Sequence, residues 1–296
     1  MIIVVVLFTD SFISSNPKIL NKKDTRKTER IISLSPSITE TLFALKLGEK
    51  VVGVTRFCNY PEETEEIMEV GGYLDLNYEA VVALKPDLVI LLPEHEKAKS
   101  YLKELKIKYL EVDNKTVSDI LGTIKTIGDT CSAKNEATKL LTSIDATIAK
   151  IHETTKDLKN TTTLISIGRT LDATKLKDVY IAGLPTYFNE LIEMAGGVNA
   201  FKNNKIAYPM ISSEGLIHLN PQVIIELSAG LNTSNLTKEI ILKAWSSISS
   251  VEAVKNNRVV ILSSDYISIP GPRFVLLLKD LVKSIHPEID WSEQNL

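Results

Sequence analysis

The hydrophobic and polar positions of this chain alternate between short aliphatic runs and longer stretches with helical spacing. In the first half, aliphatic runs predict strands at 31–34, 51–54, 87–92 and 107–112. Between these strands, apolar residues recur every three or four positions and predict helices at 40–47, 78–84 and 97–105. Strands that alternate with helices indicate βαβ units and a largely parallel sheet, so we predict an α/β fold.

A long helix is predicted in the middle of the chain, because the stretch from 117 to 158 contains no proline. Its apolar residues form one stripe that comprises Ala137, Leu140, Leu141, Ile144, Ile148 and Ile151. A helix over 133–158 would be about 39 Å long at 1.5 Å per residue. Such a helix is long enough to lie across two lobes, and a long packing helix inside one domain is the alternative.

The alternating pattern then starts again. The predicted elements of the second half are a strand at 163–167, a helix from Phe188 to the glycines at 196–197, a strand at 259–262 and a helix at 272–285. We therefore predict two Rossmann-like lobes with mostly parallel sheets, joined by a single long α-helix. The predicted boundaries are 29–116 for the N-terminal lobe, 117–160 for the bridging helix region and 161–296 for the C-terminal lobe.

Two stretches 135 positions apart read almost alike and support this duplication. They are EAVVALKPDLVI, which begins at Glu79, and EGLIHLNPQVII, which begins at Glu214. Each has a leucine five residues after the glutamate and a proline seven residues after it, followed by an aliphatic strand. One unit built twice predicts two similar lobes with a cleft between them, which is a preferred place for a ligand.

Composition excludes several classes of function. The chain of 296 residues has 34 basic and 37 acidic residues, and no basic run is interleaved with aromatics, so we expect no nucleic-acid partner. The four histidines show no zinc spacing, and no cofactor is expected. No G-x-S-x-G, P-loop or G-x-G-x-x-G motif occurs, so we do not expect an enzyme. For Cys58 and Cys131, a disulfide and two separate buried thiols both remain open.

The N-terminus carries a signal-like segment and a polar linker, which we assign to residues 1–28. Residues 1–8 are apolar but far too short to span a bilayer, which needs about 20 residues. They resemble the core of a secretory signal without its basic start, and a buried first strand is the alternative. Residues 16–30 are mostly polar, with six basic residues. We expect a periplasmic or extracytoplasmic location, possible association with the membrane, and no lipid-anchored cysteine, because no cysteine precedes Cys58.

Five phrases around the long helix carry a resemblance that covers about 30–291. They are RIISLSPS at 30–37, CNYP at 58–61, LKPDLVI at 84–90, AGGVNAF at 195–201 and PGPR at 270–273. In this order they resemble the ABC-transporter substrate-binding proteins of the cobalamin and ferric-siderophore (helical-backbone, class III) family, and most closely its vitamin B12-binding members. The resemblance implies a monomer that binds cobalamin or a related corrinoid in the cleft and delivers it to a membrane permease. Ferric siderophore and haem remain alternative ligands.

The resemblance also implies a set of ligand-binding residues at the ends of strands. It places ligand-lining positions on Phe57, Tyr73, Tyr208 and Asp265, with Leu92 where a tryptophan is expected. Flat aromatic rings suit a large macrocycle, although each loop tyrosine could equally be a half-buried surface residue. The remaining candidates are Ser35 and Pro36 at the mouth of the cleft, Tyr266 after Asp265, and Arg56, Arg169 and Arg273 as partners of an anionic ligand. Arg273 could instead anchor the last helix. For haem, Tyr73, Tyr208 and Tyr266 are the available axial ligands.

Glu79 and Glu214 are the predicted permease-docking residues. In the similar proteins, one glutamate in each lobe contacts arginines of the permease. The alternative is that an acidic residue in the first turn of a helix is simply favoured by the helix dipole, by about 0.3–1 kcal/mol. The equivalent places of the two glutamates in the two repeats favour a shared role. A zinc or manganese receptor is not expected, because His95 and His218 are not part of a convergent set of ligands.

Overall fold

The structure is a computed structural model that describes residues 28–170, 176–229 and 237–294. It divides into two compact units. The first runs to Asn114 and includes Ser118–Thr138, and the second comprises Lys115–Val117 and the chain from Lys139 onward. Residues 1–27 of the predicted signal-like segment and polar linker, which was assigned to 1–28, lie outside the described residues. Within the described ranges, no helix is long and apolar enough to cross a membrane.

The first unit contains a fully parallel sheet. Its strands are β1 (Ile31–Ser33), β2 (Val51–Val54), β3 (Met68–Glu69), β4 (Leu88–Leu91) and β5 (Tyr109–Glu111). They are arranged in the order β3-β2-β1-β4-β5, and every neighbouring pair is parallel. Every residue of β1 and β4 is buried, as expected for central strands covered on both faces. The helices of this unit are α1 (Pro36–Ala44), α2 (Tyr78–Ala83), α3 (Glu96–Glu104) and α4 (Val117–Thr130).

A longer helix, α5 (Lys134–Thr155), follows α4 and contributes residues to both units. Its 22 residues correspond to about 33 Å at 1.5 Å per residue. The predicted apolar stripe is its packed face, because Ala137, Ile144 and Ile151 are buried. The region 117–160 is nevertheless not one helix. Ser132 has a φ of +61°, and this left-handed residue separates α4 from α5 without a glycine or proline to mark the break.

The second unit contains a mixed sheet of six strands. They are β6 (Thr161–Arg169), β7 (Asp178–Ile181), β8 (Gly197–Asn199), β9 (Met210–Ser212), β10 (Val223–Leu227) and β11 (Val259–Leu262). The order is β11-β10-β6-β7-β9, with β8 beside β6. The pairs of β6 with β8 and β10, and of β10 with β11, are parallel, whereas β7 is antiparallel to both β6 and β9. The predicted α/β class with mostly parallel sheets is confirmed. The antiparallel pairing of β7 with β6 and β9 was not predicted.

The helices of the second unit complete the alternation. Besides α5 they are α6 (Tyr187–Met194), α7 (Ser213–Leu219), α8 (Lys238–Trp245), α9 (Glu252–Lys255) and α10 (Phe274–Ile285). Trp245 and Phe274 are fully buried and are the largest such side chains in the described part of the chain. Trp245 packs among aliphatic residues of β6, β7 and β10, so α8 is held to the sheet by burial of apolar surface.

The sequence repeat is also a structural repeat, and it begins with two equivalent helix starts. Asn77 caps α2 by accepting a hydrogen bond from the backbone N–H of Ala80, at 3.0 Å. Ser212 caps α7 in the same way through the N–H of Gly215, at 3.2 Å. Glu79 and Glu214 are therefore each the second residue of a helix whose first turn is held by a polar side chain.

The two helices also end alike. Lys85 and Asn220 lie in the left-handed region, with φ of +46° and +42°, where a residue commonly ends a helix. Pro86 and Pro221 follow and prevent the helix from continuing. The chain then enters β4 in the first unit and β10 in the second, and each of these strands pairs with the first strand of its own sheet. The repeated segment is thus a helix–turn–strand element of fixed geometry.

Candidate functional site

The carboxyl ends of the parallel strands define one edge of the first sheet, where open α/β sheets bind ligands. Four of the predicted ligand residues lie at this edge. Ser35 and Pro36 come after β1, Phe57 follows β2 and Tyr73 follows β3. The structure therefore brings the candidate residues of the first unit to the same edge of its sheet.

Ser35 and Pro36 form the turn from β1 into α1. Pro36 is the first residue of the helix, where its missing N–H costs nothing. Ser35 is buried, and its Oγ lies 3.0 Å from Oγ of Ser37, which also accepts a hydrogen bond from Nδ2 of Asn114 at 3.0 Å. The hydroxyl of Ser35 is thus used inside the protein.

Tyr73 is held by two neighbours that the sequence did not reveal. Its hydroxyl donates a hydrogen bond to Oε1 of Glu94, and its ring meets the His95 ring edge-on, with 4.7 Å between the centroids. Burial raises the pKa of Tyr73, and the hydrogen bond to Glu94 and its charge raise that pKa further. Tyr73 is therefore a neutral phenol at physiological pH.

His95 is a neutral buried histidine. Its Nδ1 accepts a hydrogen bond from the backbone N–H of Leu92 at 3.0 Å, and burial lowers the pKa of the ring. Its Nε2 has no hydrogen-bond partner among the described residues. Across those same residues, no three His, Cys, Asp or Glu side chains converge as a metal site requires.

The loop that carries Tyr73 depends on Gly71. This residue has a φ of +104°, which L side chains rarely adopt. A Cβ at this position would lie 2.6 Å from the carbonyl oxygen of Asp75. Glycine thus allows the chain to fold back tightly after β3, and this turn determines the position of Tyr73 two residues later.

Phe57 is exposed, whereas the arginine beside it is engaged within the protein. Phe57 is 54% exposed although its side chain is entirely apolar, so its ring leaves apolar surface open to solvent. Arg56 donates to Oδ2 of Asp75 at 2.9 Å, and its Nε lies 3.5 Å from Oε1 of Glu69. Arg56 is therefore not a free cation for an anionic ligand.

In the second unit, three candidate residues come together after β11. Nη1 of Arg273 donates a hydrogen bond to Oδ2 of Asp265 at 2.7 Å, and the guanidinium lies 5.7 Å from the Tyr266 ring centroid. The hydroxyl of Tyr266 in turn donates to Oδ2 of Asp280 at 2.7 Å, and burial raises the pKa of Tyr266. Arg273 directly precedes α10, so it links the start of that helix to the loop after β11.

Tyr208 precedes β9 and is half exposed. Burial of its remaining surface raises its pKa. Tyr187 lies near it and is buried, with a hydroxyl that has no partner in the described part of the chain. Tyr208 is therefore a neutral side chain that presents part of its ring to solvent.

Arg169 makes a buried ion pair that sequence analysis missed. Its Nε lies 3.7 Å from Oε1 of Glu226, and both side chains are more than nine-tenths buried. Nε1 of Trp245 donates to Oε2 of the same carboxylate at 3.3 Å. Burial raises the pKa of Glu226, and the charge of Arg169 opposes that shift. The sequence signal for this pair is one charged residue near the carboxyl end of each strand, Arg169 as the last residue of β6 and Glu226 as the last but one of β10.

The two cysteines are separate buried thiols, so the disulfide alternative does not hold. Sγ of Cys58 accepts a hydrogen bond from Oγ1 of Thr39 at 3.1 Å and lies 3.2 Å from Oγ1 of Thr55. Burial raises the pKa of Cys58 and raises that of Cys131 to about 11. Both thiols are therefore protonated and unreactive.

Glu79 and Glu214 lie exposed on α2 and α7, one in each unit. Their carboxylates are available to an outside partner, and their position in the first turn also suits the helix dipole. The geometry is thus compatible with both interpretations of these residues.

Comparison with known proteins identifies the family. The family model described as periplasmic binding protein matches residues 31–266. A protein of Bacillus subtilis (strain 168), named an uncharacterized ABC transporter substrate-binding lipoprotein, YvrC, is 32% identical over 284 residues, or 93% of this chain and 84% of the relative. A vitamin B12-binding protein of Vibrio parahaemolyticus is 28% identical over 247 residues, or 83% of this chain and 85% of the relative.

The fold agrees with this result. A crystal structure from Staphylococcus epidermidis ATCC 12228, described as a possible iron-binding (periplasmic solute-binding) protein, matches with a TM-score of 0.74 at 28% identity. The match covers 88% of this chain and 99% of the other. These findings confirm the resemblance in the sequence. The chain therefore belongs to the periplasmic binding protein family and is a substrate-binding protein of the ABC importer type, not an enzyme.

Proposed function

We propose that this chain is the extracytoplasmic component of an importer that captures cobalamin or a related corrinoid and delivers it to a membrane permease. The observation that carries this proposal is the set of neutral aromatic side chains Phe57, Tyr73 and Tyr208, which lie in loops next to strands. A corrin ring is large, flat and edged with amide groups. The vitamin B12-binding relative of Vibrio parahaemolyticus supports the same ligand class.

The side chains provide complementary contacts for such a ligand. The exposed ring of Phe57 and the half-exposed ring of Tyr208 offer apolar faces for stacking. The carboxylate of Asp265, whose side chain is 63% exposed, can accept a hydrogen bond from a ligand amide while Arg273 holds it in place. Pro36, Tyr73 and Tyr266 complete the proposed ligand surface, and the buried Ser35 holds the turn that carries Pro36.

The pairing of the arginines favours a corrinoid over an anionic iron complex. Arg56 is paired with Asp75 and Glu69, and Arg273 with Asp265. Arg169 is paired with Glu226 and is almost sealed from solvent. A siderophore carboxylate or a haem propionate would have to compete with these internal partners, whereas the amides of a corrinoid would not.

A ferric siderophore or haem is the second candidate ligand. The possible iron-binding protein of Staphylococcus epidermidis is similar over most of this chain. Tyrosine is a haem ligand in some proteins, and Tyr73, Tyr208 and Tyr266 are the candidates, although the hydroxyl of Tyr266 already donates to Asp280. For iron to bind Tyr73, however, the phenol would have to lose its proton and its hydrogen bond to Glu94, against the raised pKa.

Calorimetric titration of residues 29–296 with cyanocobalamin, haem and a hydroxamate siderophore tests the ligand. We expect one-to-one binding of cyanocobalamin alone. Phe57→Ala and Tyr208→Ala should each weaken that binding about tenfold, which corresponds to about 1.4 kcal/mol for an aromatic residue at the centre of a binding surface. Leu242→Ala, which removes a similarly exposed apolar side chain on α8, is the matched control and should bind as the parent does.

The contrary result is equally clear. Binding of haem or siderophore without cobalamin would keep the chain in its transporter class and select the second candidate. Binding of none of the three ligands, by a protein that unfolds cooperatively, would reject both.

We further propose that the partner is an ABC permease in the cytoplasmic or inner membrane, which the monomeric chain contacts through Glu79 and Glu214. The exposure of both carboxylates and their equivalent places in the repeat support this assignment. Two acidic contacts call for basic groups on the permease surface.

A further inference from the structure

An exposed aliphatic side chain follows each of the two repeated glutamates by three positions. Val82, three residues after Glu79, is 43% exposed, and Ile217, three residues after Glu214, is 44% exposed. Residues three apart on a helix are neighbours on its surface. Each helix therefore presents a carboxylate and an aliphatic group side by side.

The aliphatic residue directly before each of these two side chains is buried. Val81 is 2% exposed and Leu216 is fully buried, so each helix already has an apolar side chain packed into its own unit. Val82 and Ile217 therefore do not contribute buried apolar surface to the cores as Val81 and Leu216 do. Each leaves apolar surface in contact with water and does not provide the stabilisation that burial would give.

A single exposed aliphatic residue is ordinary on a protein surface. A capped glutamate with an exposed aliphatic residue three positions later also occurs on α8, as Glu239 and Leu242, so the pair alone is not distinctive. The pairs on α2 and α7 differ from it because each lies in the repeated helix–turn–strand segment, with equivalent caps and equivalent left-handed ends. The exposed fractions of Val82 and Ile217 are also nearly equal.

We propose that Val82 and Ile217 are apolar anchors of the permease-docking surface, each filling a shallow apolar depression beside the basic group that receives the neighbouring glutamate. The inference rests on the proposed function and extends it. The acidic residue requires a cation on the partner, and the aliphatic group requires an apolar patch next to that cation. Because the pair is repeated, the partner must present this combination twice.

The physical benefit of the arrangement is the exclusion of water. A surface ion pair alone contributes little, because water screens it. An aliphatic group packed against the partner removes water from beside the ion pair, and the same charges then attract more strongly. The anchor would therefore increase the lifetime of the docked complex, whereas the glutamate mainly guides association.

The test compares the double variant Val82→Ser/Ile217→Ser with the matched control Leu105→Ser/Leu242→Ser. The control residues are 41% and 44% exposed, and one lies in each unit. Binding of fluorescently labelled protein is measured to the purified permease–ATPase complex of this importer in nanodiscs. We expect each anchor substitution to weaken binding about fivefold and the pair about twenty-fivefold, mainly through faster dissociation. The control should bind normally.

Three outcomes overturn the inference. If the anchor variant binds normally while Glu79→Ala/Glu214→Ala does not, docking through the glutamates stands and the anchors are rejected. If both variants bind normally, the docking surface lies elsewhere and the proposed docking role fails as well. If the control weakens binding as much as the anchor variant, the effect is not specific to these positions. Thermal unfolding and ligand titration verify that each variant is folded and loaded.

Discussion

Replacing Glu226 by leucine is expected to lower the free energy of unfolding by about 3–5 kcal/mol, because the substitution leaves the Arg169 guanidinium buried without its ionic partner. The side chain of Arg169 is only 8% exposed, so water cannot readily replace the lost carboxylate. Nε1 of Trp245 loses its hydrogen-bond acceptor at the same time. Urea unfolding followed by tryptophan fluorescence at pH 7 measures the loss.

Two further variants separate the charge from the packing. Arg169→Met/Glu226→Leu removes both charges and should recover most of the stability, because apolar residues of similar volume can replace a buried ion pair at little cost. Glu104→Leu, on the exposed surface at the end of α3, is the control for removal of a carboxylate and should unfold much as the parent does. A single Glu226→Leu variant as stable as the parent would show that the pair does not stabilise the fold.

The same pair gives a dependence on pH. Burial raises the pKa of Glu226 above its ordinary value of 4.5, so the native protein holds this proton more tightly than the unfolded chain does. Its contribution to stability is therefore fully present below the ordinary pKa and is lost as the pH rises through the native pKa. This slope should disappear in the variant that lacks both Arg169 and Glu226.

The second large effect is on transport. Glu79→Ala/Glu214→Ala should reduce uptake in a reconstituted importer about a thousandfold and leave ligand affinity unchanged. The magnitude follows from about 2 kcal/mol or more for each charged pair that loses one partner at an interface. The two carboxylates are exposed on α2 and α7 and are not among the proposed ligand residues, so their removal should not disturb capture of the ligand.

The control for this experiment is Glu104→Ala/Glu239→Ala, which removes one exposed carboxylate from each unit and keeps the net charge of the docking variant. Uptake should then remain near that of the parent. Normal uptake by Glu79→Ala/Glu214→Ala would contradict the docking role. The glutamates would then be explained by the helix dipole alone.

The alternation of strands and helices could be predicted because it is encoded locally. Aliphatic runs and helical spacing depend on a few neighbouring residues, and the predicted strand at 259–262 agrees with β11 to the residue. The repeat was equally readable, since each copy lies in a continuous segment. From these elements the parallel sheets followed, and with them the placement of Phe57 at the carboxyl end of a strand. Tyr73 follows β3, a strand of 2 residues that the sequence pattern did not predict, so its position rested on the family resemblance.

The features that could not be predicted depend on distant contacts. The antiparallel pairing of β7 and β9 involves strands of only four and three residues, which are too short to show a period. In the pairing of β6 with β10, Ser166 lies opposite Glu226, and Arg169 is three residues further along β6. The ion pair depends on this register, which no local pattern encodes. In the same way, the partners of Tyr73 come from the loop after β4. Sequence analysis thus identified candidate residues but not the groups that hold them.

The two buried thiols have a practical consequence. They are the only cysteines in the chain, and both are protonated and shielded from solvent. A single cysteine introduced on the surface would therefore be the one position that a maleimide dye labels in the native state. Fluorescent reporters could be attached at any exposed site with Cys58 and Cys131 left in place, and slow labelling of these two residues would itself report the opening of the fold.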